Sequence, residues 1–219
     1  MSTSHCLEID RVIYCASYVP WNLHQPMKGV TDFGDKGFDF SDFLDLRRFL
    51  QSCKDNDLFV IFRPGPYICG EWEFGGMPRY AMHSITRPFN ISELVIVSFS
   101  FVSWLLSDYP MSVRTSSRDY EEPAFSYLKE VIDRVKDLQF YSTRNGVGGP
   151  IIMVQIENEY GNFGYGNYPR DKPHLKHIRS VLEEGGIETL FFNSDNIPVN
   201  HDYGHIEGGK SLNSNSLIQ

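Results

Sequence analysis

Four short apolar runs recur along the chain, each bounded by polar or turn-forming residues. Most positions within a run are apolar, which is typical of strands buried on both faces of a parallel sheet. The predicted strands cover residues 12–21, 58–62, 151–156 and 189–192.

The segments between these runs show a different spacing, with apolar residues at every third or fourth position. This spacing places the apolar residues on one face of a helix. The predicted helices cover residues 40–53, 125–138 and 175–182. Ser41 is a candidate N-cap of the first helix, and Pro123 is expected in the first turn of the second. Pro173 is expected at the start of the third helix, which Gly185 and Gly186 end.

Strands and helices therefore alternate along most of the chain. This order predicts an α/β fold in which parallel strands are joined by right-handed helical crossovers. A doubly wound sheet and a (β/α) barrel both have this order, and periodicity alone does not choose between them.

Three segments fall outside the alternation. Residues 1–11 hold no apolar stretch, so no signal peptide is predicted in this chain. Residues 80–103 include a β-branched and aromatic run that is typical of an extra strand. Residues 196–219 are rich in Asn, Ser and Gly, and we expect a disordered tail there. The most apolar run, 94–106, is too short to cross a bilayer, so no membrane span is expected.

The composition narrows the classes of function. The net charge of −8 argues against a nucleic-acid surface, which needs clustered lysine and arginine. The four cysteines are too scattered to predict a disulfide framework, and no metal-binding spacing of Cys or His occurs. His174 and His177 lie three positions apart, where an exposed helix face is favoured over a pair of metal ligands. We therefore expect neither a metal nor a cofactor.

Polar and aromatic residues cluster immediately after three of the predicted strands. The carboxyl ends of parallel strands face the ligand in α/β folds, so these clusters mark the expected binding region. They cover residues 17–26, 63–76 and 157–160.

The last cluster contains Glu157, Asn158 and Glu159 directly after an apolar strand. Burying a carboxylate is costly unless it is partnered, so packing does not explain two of them here. One alternative is that both glutamates simply emerge into solvent. The other is catalytic, because a glutamic acid near apolar and aromatic walls has the raised pKa that a general acid requires. An adjacent asparagine can hydrogen-bond a substrate hydroxyl.

The middle cluster places Glu71 and Glu73 beside Trp72 in a loop stiffened by Gly and Pro. Carboxylates next to ring faces suit a sugar, whose hydroxyls need acceptors and whose C–H face packs on aromatic rings. The alternative is structural, with Arg63 paired to one of these glutamates and the aromatic residues in the core.

Together the clusters resemble the β-galactosidases of glycoside hydrolase family 35. The resemblance extends from about residue 12 to residue 195, with no counterpart for residues 80–103. Its motifs are YVPWNLH at 18–24, RPGPYICGEWEFGGMP at 63–78 and GGPIIMVQIENEYG at 148–161. The resemblance implies a TIM-type (β/α)8 barrel, of which roughly strands two to five are present, and retaining hydrolysis of terminal β-linked galactose.

The resemblance also implies roles for individual residues. Glu159 matches the family's proton donor, and Asn158 matches the neighbouring substrate-binding asparagine. Tyr18, Gly70 and Glu71 match positions that line the galactose pocket, with Gly70 in place of the commoner alanine.

Two features depart from a simple match. Gln25 stands where the family usually has a glutamate. In addition, strict alternation along a strand would send Asn158 and Glu159 to opposite faces. Since the resemblance places both in the pocket, we expect the strand to twist or bulge at its end.

Retaining hydrolysis needs two carboxylates about 5–5.5 Å apart. The family's nucleophile lies in a motif resembling Asn-Ser-Glu-Phe-Tyr, which does not occur in this chain. We therefore expect an incomplete catalytic domain that lacks the nucleophile and is inactive alone.

Two alternatives to this interpretation remain. One is another retaining glycosidase acting on glucosides or mannosides, against which the 63–78 motif argues. The other is a sugar-binding pseudoenzyme or inactive fragment. The family is typically lysosomal or secreted, the expected partner is a β-galactoside, and no oligomeric state is indicated.

Overall fold

The computed structural model describes residues 5–9, 12–78, 112–144, 148–163, 170–195 and 210–211. Within them, six strands form one sheet in chain order. The strands are β1 (His5–Ile9), β2 (Val12–Tyr18), β3 (Phe59–Arg63), β4 (Ile151–Gln155), β5 (Leu190–Asn193) and β6 (Lys210–Ser211). The α-helices are α1 (Trp21–His24), α2 (Leu46–Asp55), α3 (Arg118–Val135) and α4 (Lys172–Glu184). Short 3₁₀ helices cover Ser41–Phe43, Glu73–Gly76, Lys136–Leu138 and Tyr160–Asn162.

The four predicted strands correspond to β2 to β5, which pair in parallel as consecutive neighbours. Helices α2, α3 and α4 each lie in one of the three crossovers between them. The predicted α/β fold with parallel strands is therefore confirmed. β1 adds an antiparallel strand beside β2, which the sequence analysis did not predict.

The start of α2 differs from the prediction. The helix begins at Leu46 because Asp45 is its N-cap, with the side chain accepting a hydrogen bond from Arg48 N at 2.9 Å. Ser41 does not cap the helix. Its hydroxyl donates to Asp32 instead, and it begins a separate 3₁₀ helix.

Helix α3 also begins earlier than predicted, at Arg118. Pro123 therefore lies inside the helix rather than in its first turn. The bounds of α4 agree with the prediction, since Pro173 lies in its first turn and Gly185 is its C-cap.

The three crossover helices pack against the same face of the sheet. Along β3, Val60 and Phe62 are buried, whereas the alternating positions, including Ile61, are half-buried. The buried side joins a single core with residues from each crossover helix, among them Leu50, Leu128 and Ile178. The other face is apolar and less covered: Met153, paired with Ile61, is half-buried, and Leu190, paired with Met153, is 46% exposed.

Some predictions concern residues outside the described part. The residues for which an extra strand was expected, 80–103, are outside the described part, and of the expected tail, 196–219, only β6 is described. Among the helices that the structure describes, none is long and apolar enough to cross a membrane.

Candidate active site

A cavity of about 400 Å³ lies at the carboxyl ends of β2, β3 and β4. It is lined by Tyr18, Arg63, Cys69, Gly70, Glu71, Asn158 and Glu159. All five residues for which the sequence predicted a site role are among them. The structure therefore brings together, in one cavity, residues that are up to 141 positions apart in the chain (159 − 18 = 141).

Arg63 connects two walls of this cavity. It ends β3 and lies opposite Tyr18, the last residue of β2. Its guanidinium carbon lies 4.1 Å from the Tyr18 ring centroid, and it donates hydrogen bonds to the Tyr18 hydroxyl and to Asn158 Oδ1. Burial lowers the pKa of Arg63 from its ordinary value, while its interactions with Tyr18 and Glu159 oppose that shift. Among the described residues Arg63 bonds to Tyr18 and Asn158 and forms no ion pair with Glu71 or Glu73, so the predicted alternative is wrong on this point.

The amide of Asn158 is held in one orientation. Its Oδ1 accepts from Arg63, from Gln155 Nε2 at 3.0 Å and from Ser194 Oγ at 3.4 Å. Several donors around Oδ1 leave Nδ2 as the group that can serve a ligand, and Nδ2 has no partner among the described residues. Because Asn158 lines the cavity, its side-chain Nδ2–H groups are available to an acceptor oxygen there.

The backbone explains how neighbouring residues reach the same cavity. Strand β4 ends at Gln155, and both Glu157 (φ 58°) and Glu159 (φ 46°) are in the left-handed region. The chain therefore turns at two nearly consecutive positions, and strand alternation no longer applies. The twist expected at the end of the strand is thus a pair of left-handed residues just beyond it, whereas the register shift of β4 against β3 lies earlier, between Ile151 and Met153.

The two glutamates of this segment occupy opposite environments. Glu159 is exposed at the cavity, and its backbone N–H donates to Ser194 Oγ at 3.2 Å. The Glu157 side chain is fully buried and paired with Arg114. The alternative that both glutamates emerge into solvent is therefore correct for Glu159 and wrong for Glu157.

Glu157 forms a two-pronged ion pair with Arg114. Arg114 Nε donates to Glu157 Oε1 at 2.8 Å, and Nη2 donates to Oε2 at 2.6 Å. Burial raises the pKa of Glu157, but the charge and hydrogen bonds of Arg114, with nearby His174, outweigh it and lower the pKa below its ordinary value. This is the reverse of the raised pKa that a glutamic acid near apolar walls was expected to show, and it keeps Glu157 ionised.

Arg114 carries no sequence signal that marks it as important. The structure buries it between aromatic rings, with its guanidinium carbon 3.8 Å from the Tyr67 centroid and 4.3 Å from that of Phe163. Ser194 could have been found from the sequence, because it lies two positions after a predicted strand, in the region where the other site residues are expected.

The histidine pair on α4 is divided between two environments. His177 is exposed, as predicted, but the prediction is wrong for His174, which is fully buried with Nε2 3.6 Å from Glu157 Oε1. Its position inside the core follows from α4 packing its N-terminal turn over the Arg114–Glu157 pair. In the parts of the chain that the structure describes, no group of three potential metal ligands occurs.

The loop after β3 reaches the cavity through left-handed residues. Cys69, Gly70 and Glu71 each have φ 55°, and Trp72 Nε1 ties the loop to Asn22 Oδ1 at 3.0 Å. A Cβ at Gly70 would lie 3.5 Å from the Tyr18 ring, which is ordinary contact distance. The glycine therefore leaves space beside that ring which an alanine methyl would fill.

The first motif is partly structural. Trp21 Nε1 donates to Gln25 Oε1 at 2.7 Å, so the residue that departs from the family pattern supports a buried tryptophan. His24 donates from Nδ1 to the Asp32 carbonyl at 2.9 Å, and burial lowers its pKa to about 4. Of this motif, Tyr18 alone lines the cavity.

Sequence comparison establishes the family of this chain. The model of the glycosyl hydrolases family 35 matches residues 12–88 and 100–216. The chain belongs to glycoside hydrolase family 35. The family resemblance of the three motifs is thereby confirmed.

Several members with β-galactosidase names are similar to this family 35 chain. Human beta-galactosidase-1-like protein 2 is 37% identical over 180 residues, which cover 82% of this chain and 22% of that protein. Rat beta-galactosidase-1-like protein 3 is 34% identical over 204 residues, which cover 93% of this chain and 26% of that protein. The beta-galactosidase of Pongo abelii is 35% identical over 180 residues, which cover 82% of this chain and 21% of that protein. The chain therefore spans about a quarter or less of the length of these relatives.

Proposed function

We propose that this chain is part of a longer protein that hydrolyses terminal non-reducing β-D-galactose residues from β-galactosides. The reaction is a retaining double displacement in which Glu159 is the proton donor. The single observation that carries the proposal is the cavity, which gathers Tyr18, Gly70, Glu71, Asn158 and Glu159 at the carboxyl ends of three parallel strands. The β-galactosidase names of the relatives support galactose as the sugar.

In this proposal, the environments of the residues assign the steps. The Glu159 carboxyl, exposed at the cavity, protonates the glycosidic oxygen, and its carboxylate then removes a proton from the attacking water. The oriented Nδ2 of Asn158 donates to a hydroxyl oxygen of the sugar. The exposed Glu71 carboxylate accepts from sugar hydroxyls, and Tyr18 provides a wall held by Arg63. Buried Glu157 takes no part in proton transfer.

The second carboxylate belongs to another part of the longer protein. A retaining enzyme places its nucleophile about 5–5.5 Å from the acid/base residue. This chain contains no segment resembling the family's Asn-Ser-Glu-Phe-Tyr motif. We assign the nucleophile to a further strand, so this chain alone is expected to be inactive.

The packing of the helices supports a partial TIM-type barrel, in which β2 to β5 correspond to barrel strands two to five. A doubly wound sheet carries helices on both faces, whereas a barrel carries them on the outside only. Here the three crossover helices share one core on one face, and the opposite face is apolar and half-buried. In the longer protein the remaining strands would close around that face. We place the protein in the lysosome or outside the cell, as is typical of the family.

Replacing Glu159 by Gln in the full-length protein tests this function. The first chemical step, measured as the glycosylation rate, should fall about 10²–10⁴-fold for alkyl β-galactosides, whose leaving groups need protonation. It should change little for dinitrophenyl β-galactoside, whose leaving group needs almost no acid. Glu122→Gln, an exposed position on α3, is the matched control and should change neither rate.

Equal loss on both substrates would contradict the role of Glu159. An unsubstituted full-length protein that binds galactosides without cleaving them would instead be a sugar-binding pseudoenzyme.

A further inference from the structure

One buried ion pair holds the backbone on both sides of Asn158. The Asn158 N–H donates to Glu157 Oε2 at 2.6 Å, and the Asn158 carbonyl accepts from Arg114 Nη2 at 2.7 Å. The same guanidinium is bound to both oxygens of the Glu157 carboxylate. Four hydrogen bonds thus join Arg114, Glu157 and the Asn158 backbone in one unit.

This unit determines where the Glu159 side chain points. The Asn158 carbonyl belongs to the peptide group that leads into Glu159, so Arg114 fixes the plane from which that side chain projects. Glu157 and Glu159 both have positive φ, a sparsely populated state that persists only when the surrounding structure holds it. The hydrogen bonds of the ion pair supply that constraint.

Arg114 is itself held in place from outside the turn. Its guanidinium is stacked against Tyr67 and Phe163, and its backbone carbonyl accepts from the Tyr160 hydroxyl at 2.9 Å. The side chains of Arg114 and Glu157 are 7% and 0% exposed, and neither residue lines the cavity. Their effect on a substrate must therefore pass through Asn158 and Glu159.

We propose that Arg114 and Glu157 are positioning residues, which hold Asn158 and Glu159 in the geometry for proton donation without touching the substrate. The proposal rests on the proposed function of Glu159. Stability alone does not account for the pair, because well-packed apolar residues often stabilise a core as well as a buried ion pair does. Apolar residues could not replace its two hydrogen bonds to the Asn158 backbone.

The test uses the full-length protein with Arg114→Met, Arg114→Lys and Glu157→Gln. Displacing a reacting group by about 1 Å can cost about 10²-fold in rate. Arg114→Met should therefore lower the glycosylation rate about 10²-fold on alkyl β-galactosides and less than about 10-fold on dinitrophenyl β-galactoside, in parallel with Glu159→Gln. Arg114→Lys keeps the charge and one donor nitrogen, so its rate should be higher than that of Arg114→Met. Glu157→Gln should show the same dependence on the leaving group as Arg114→Met.

Arg47→Met is the matched control. It removes a different two-pronged ion pair, between Arg47 and Asp137 at 2.7 and 2.8 Å, which lies on the surface between α2 and the 3₁₀ helix after α3. The ratio of the rates on the two substrates should not change in this variant.

The ratio of the glycosylation rates on the alkyl and dinitrophenyl substrates distinguishes a positioning role from a general loss of folded protein, because a loss of folded protein lowers both rates equally. If Arg114→Met does not fold, Arg114→Lys and Glu157→Gln provide the same ratio. A ratio that changes in Glu159→Gln but not in the Arg114 and Glu157 variants overturns this inference alone. A ratio unchanged in Glu159→Gln itself overturns the proposed function, and the inference with it.

Discussion

At the residue scale, the site depends on side chains placed by left-handed backbone. Cys69 and Glu71 on one loop, and Glu157 and Glu159 on another, are all in this region. Each such non-glycine residue costs about 1–2 kcal/mol, so neighbouring contacts must offset the cost. Arg114 offers such contacts to the second loop, and its ring partner Tyr67 lies beneath the first.

Gly75 tests how closely the first loop is packed. Its φ is +60°, and a Cβ there would lie 2.0 Å from the Tyr67 ring. Gly75→Ala should therefore lower the free energy of unfolding by about 2–3 kcal/mol, through backbone strain and displacement of that ring. Urea unfolding of the protein measures the loss.

Gly29→Ala is the control for strain without a clash. Gly29 has a similar φ of +74°, but no atom lies within 4 Å of the added Cβ. Its cost should be about 1 kcal/mol. Similar losses for both variants would show that the contact with Tyr67 is not what requires Gly75.

The sequence predicted the cavity residues better than their supports. Tyr18 ends a strand, Asn158 and Glu159 follow another, and all three belong to motifs, so position and residue type both indicate them. Arg114 is 43 positions from Glu157, and no local pattern relates two partners at that separation. The pattern that suggested a catalytic glutamate applies equally to Glu157, and only its burial against Arg114 separates the two roles.

At the element scale, one buried carboxylate organises the segment between α1 and α2. Asp32 Oδ1 accepts from the backbone N–H groups of Gly34, Asp35 and Lys36, at 2.9, 3.2 and 3.3 Å. Ser41 donates to Oδ2. Burial raises the pKa of Asp32, but these hydrogen bonds outweigh it and lower the pKa below 3.8.

The lowered pKa sets the pH dependence of this contribution. Because the folded pKa lies below the unfolded value, the stabilisation is present above about pH 4 and is lost as the pH falls through the folded pKa. Asp32→Asn should cost about 1–3 kcal/mol of unfolding free energy at neutral pH, and the difference from the unsubstituted protein should shrink towards pH 3. Urea unfolding at several pH values measures it.

Asp39→Asn changes an exposed aspartate of the same segment and should have little effect at any pH. A cost of Asp32→Asn that stays constant or grows on acidification would contradict the assigned role of the carboxylate.

The same segment shows why the predicted start of α2 was wrong. Phe40 and Phe43 continue the apolar spacing of the helix, yet they are 65% and 75% exposed. Periodicity cannot detect that Ser41 is engaged by Asp32, nine positions earlier, or that Asp45 supplies the cap. Contacts between loop residues, rather than helical spacing, decide where α2 begins.

At the scale of the whole molecule, the side on which the helices pack decides between folds that share one order of elements. The sequence predicted the alternation correctly but could not distinguish a doubly wound sheet from a barrel, because both give buried parallel strands. The one-sided core favours the barrel. The relatives are about four to five times longer than the matched region. We therefore expect the other strands in the remainder of the longer protein.

Leu190 tests whether further strands cover the open face. It is 46% exposed and lies on the face away from the helices. In the full-length protein, Leu190→Asp should cost about 2–4 kcal/mol of unfolding free energy, because the aspartate would enter the barrel interior.

Phe43→Asp, at a position 75% exposed on the 3₁₀ helix before α2, is the control and should cost less than about 1 kcal/mol. Equal, small costs at both positions would argue against closure of a barrel over this face.

The role of Glu159 as the acid/base residue of a retaining enzyme is tested most directly by azide. In full-length Glu159→Ala, dinitrophenyl β-galactoside should still form the galactosyl-enzyme, but its hydrolysis should be slow because no base activates water. Azide needs no base, so it should accelerate turnover and yield β-galactosyl azide, the product of retention. Absence of acceleration, or formation of the α-azide, would contradict the assignment of Glu159.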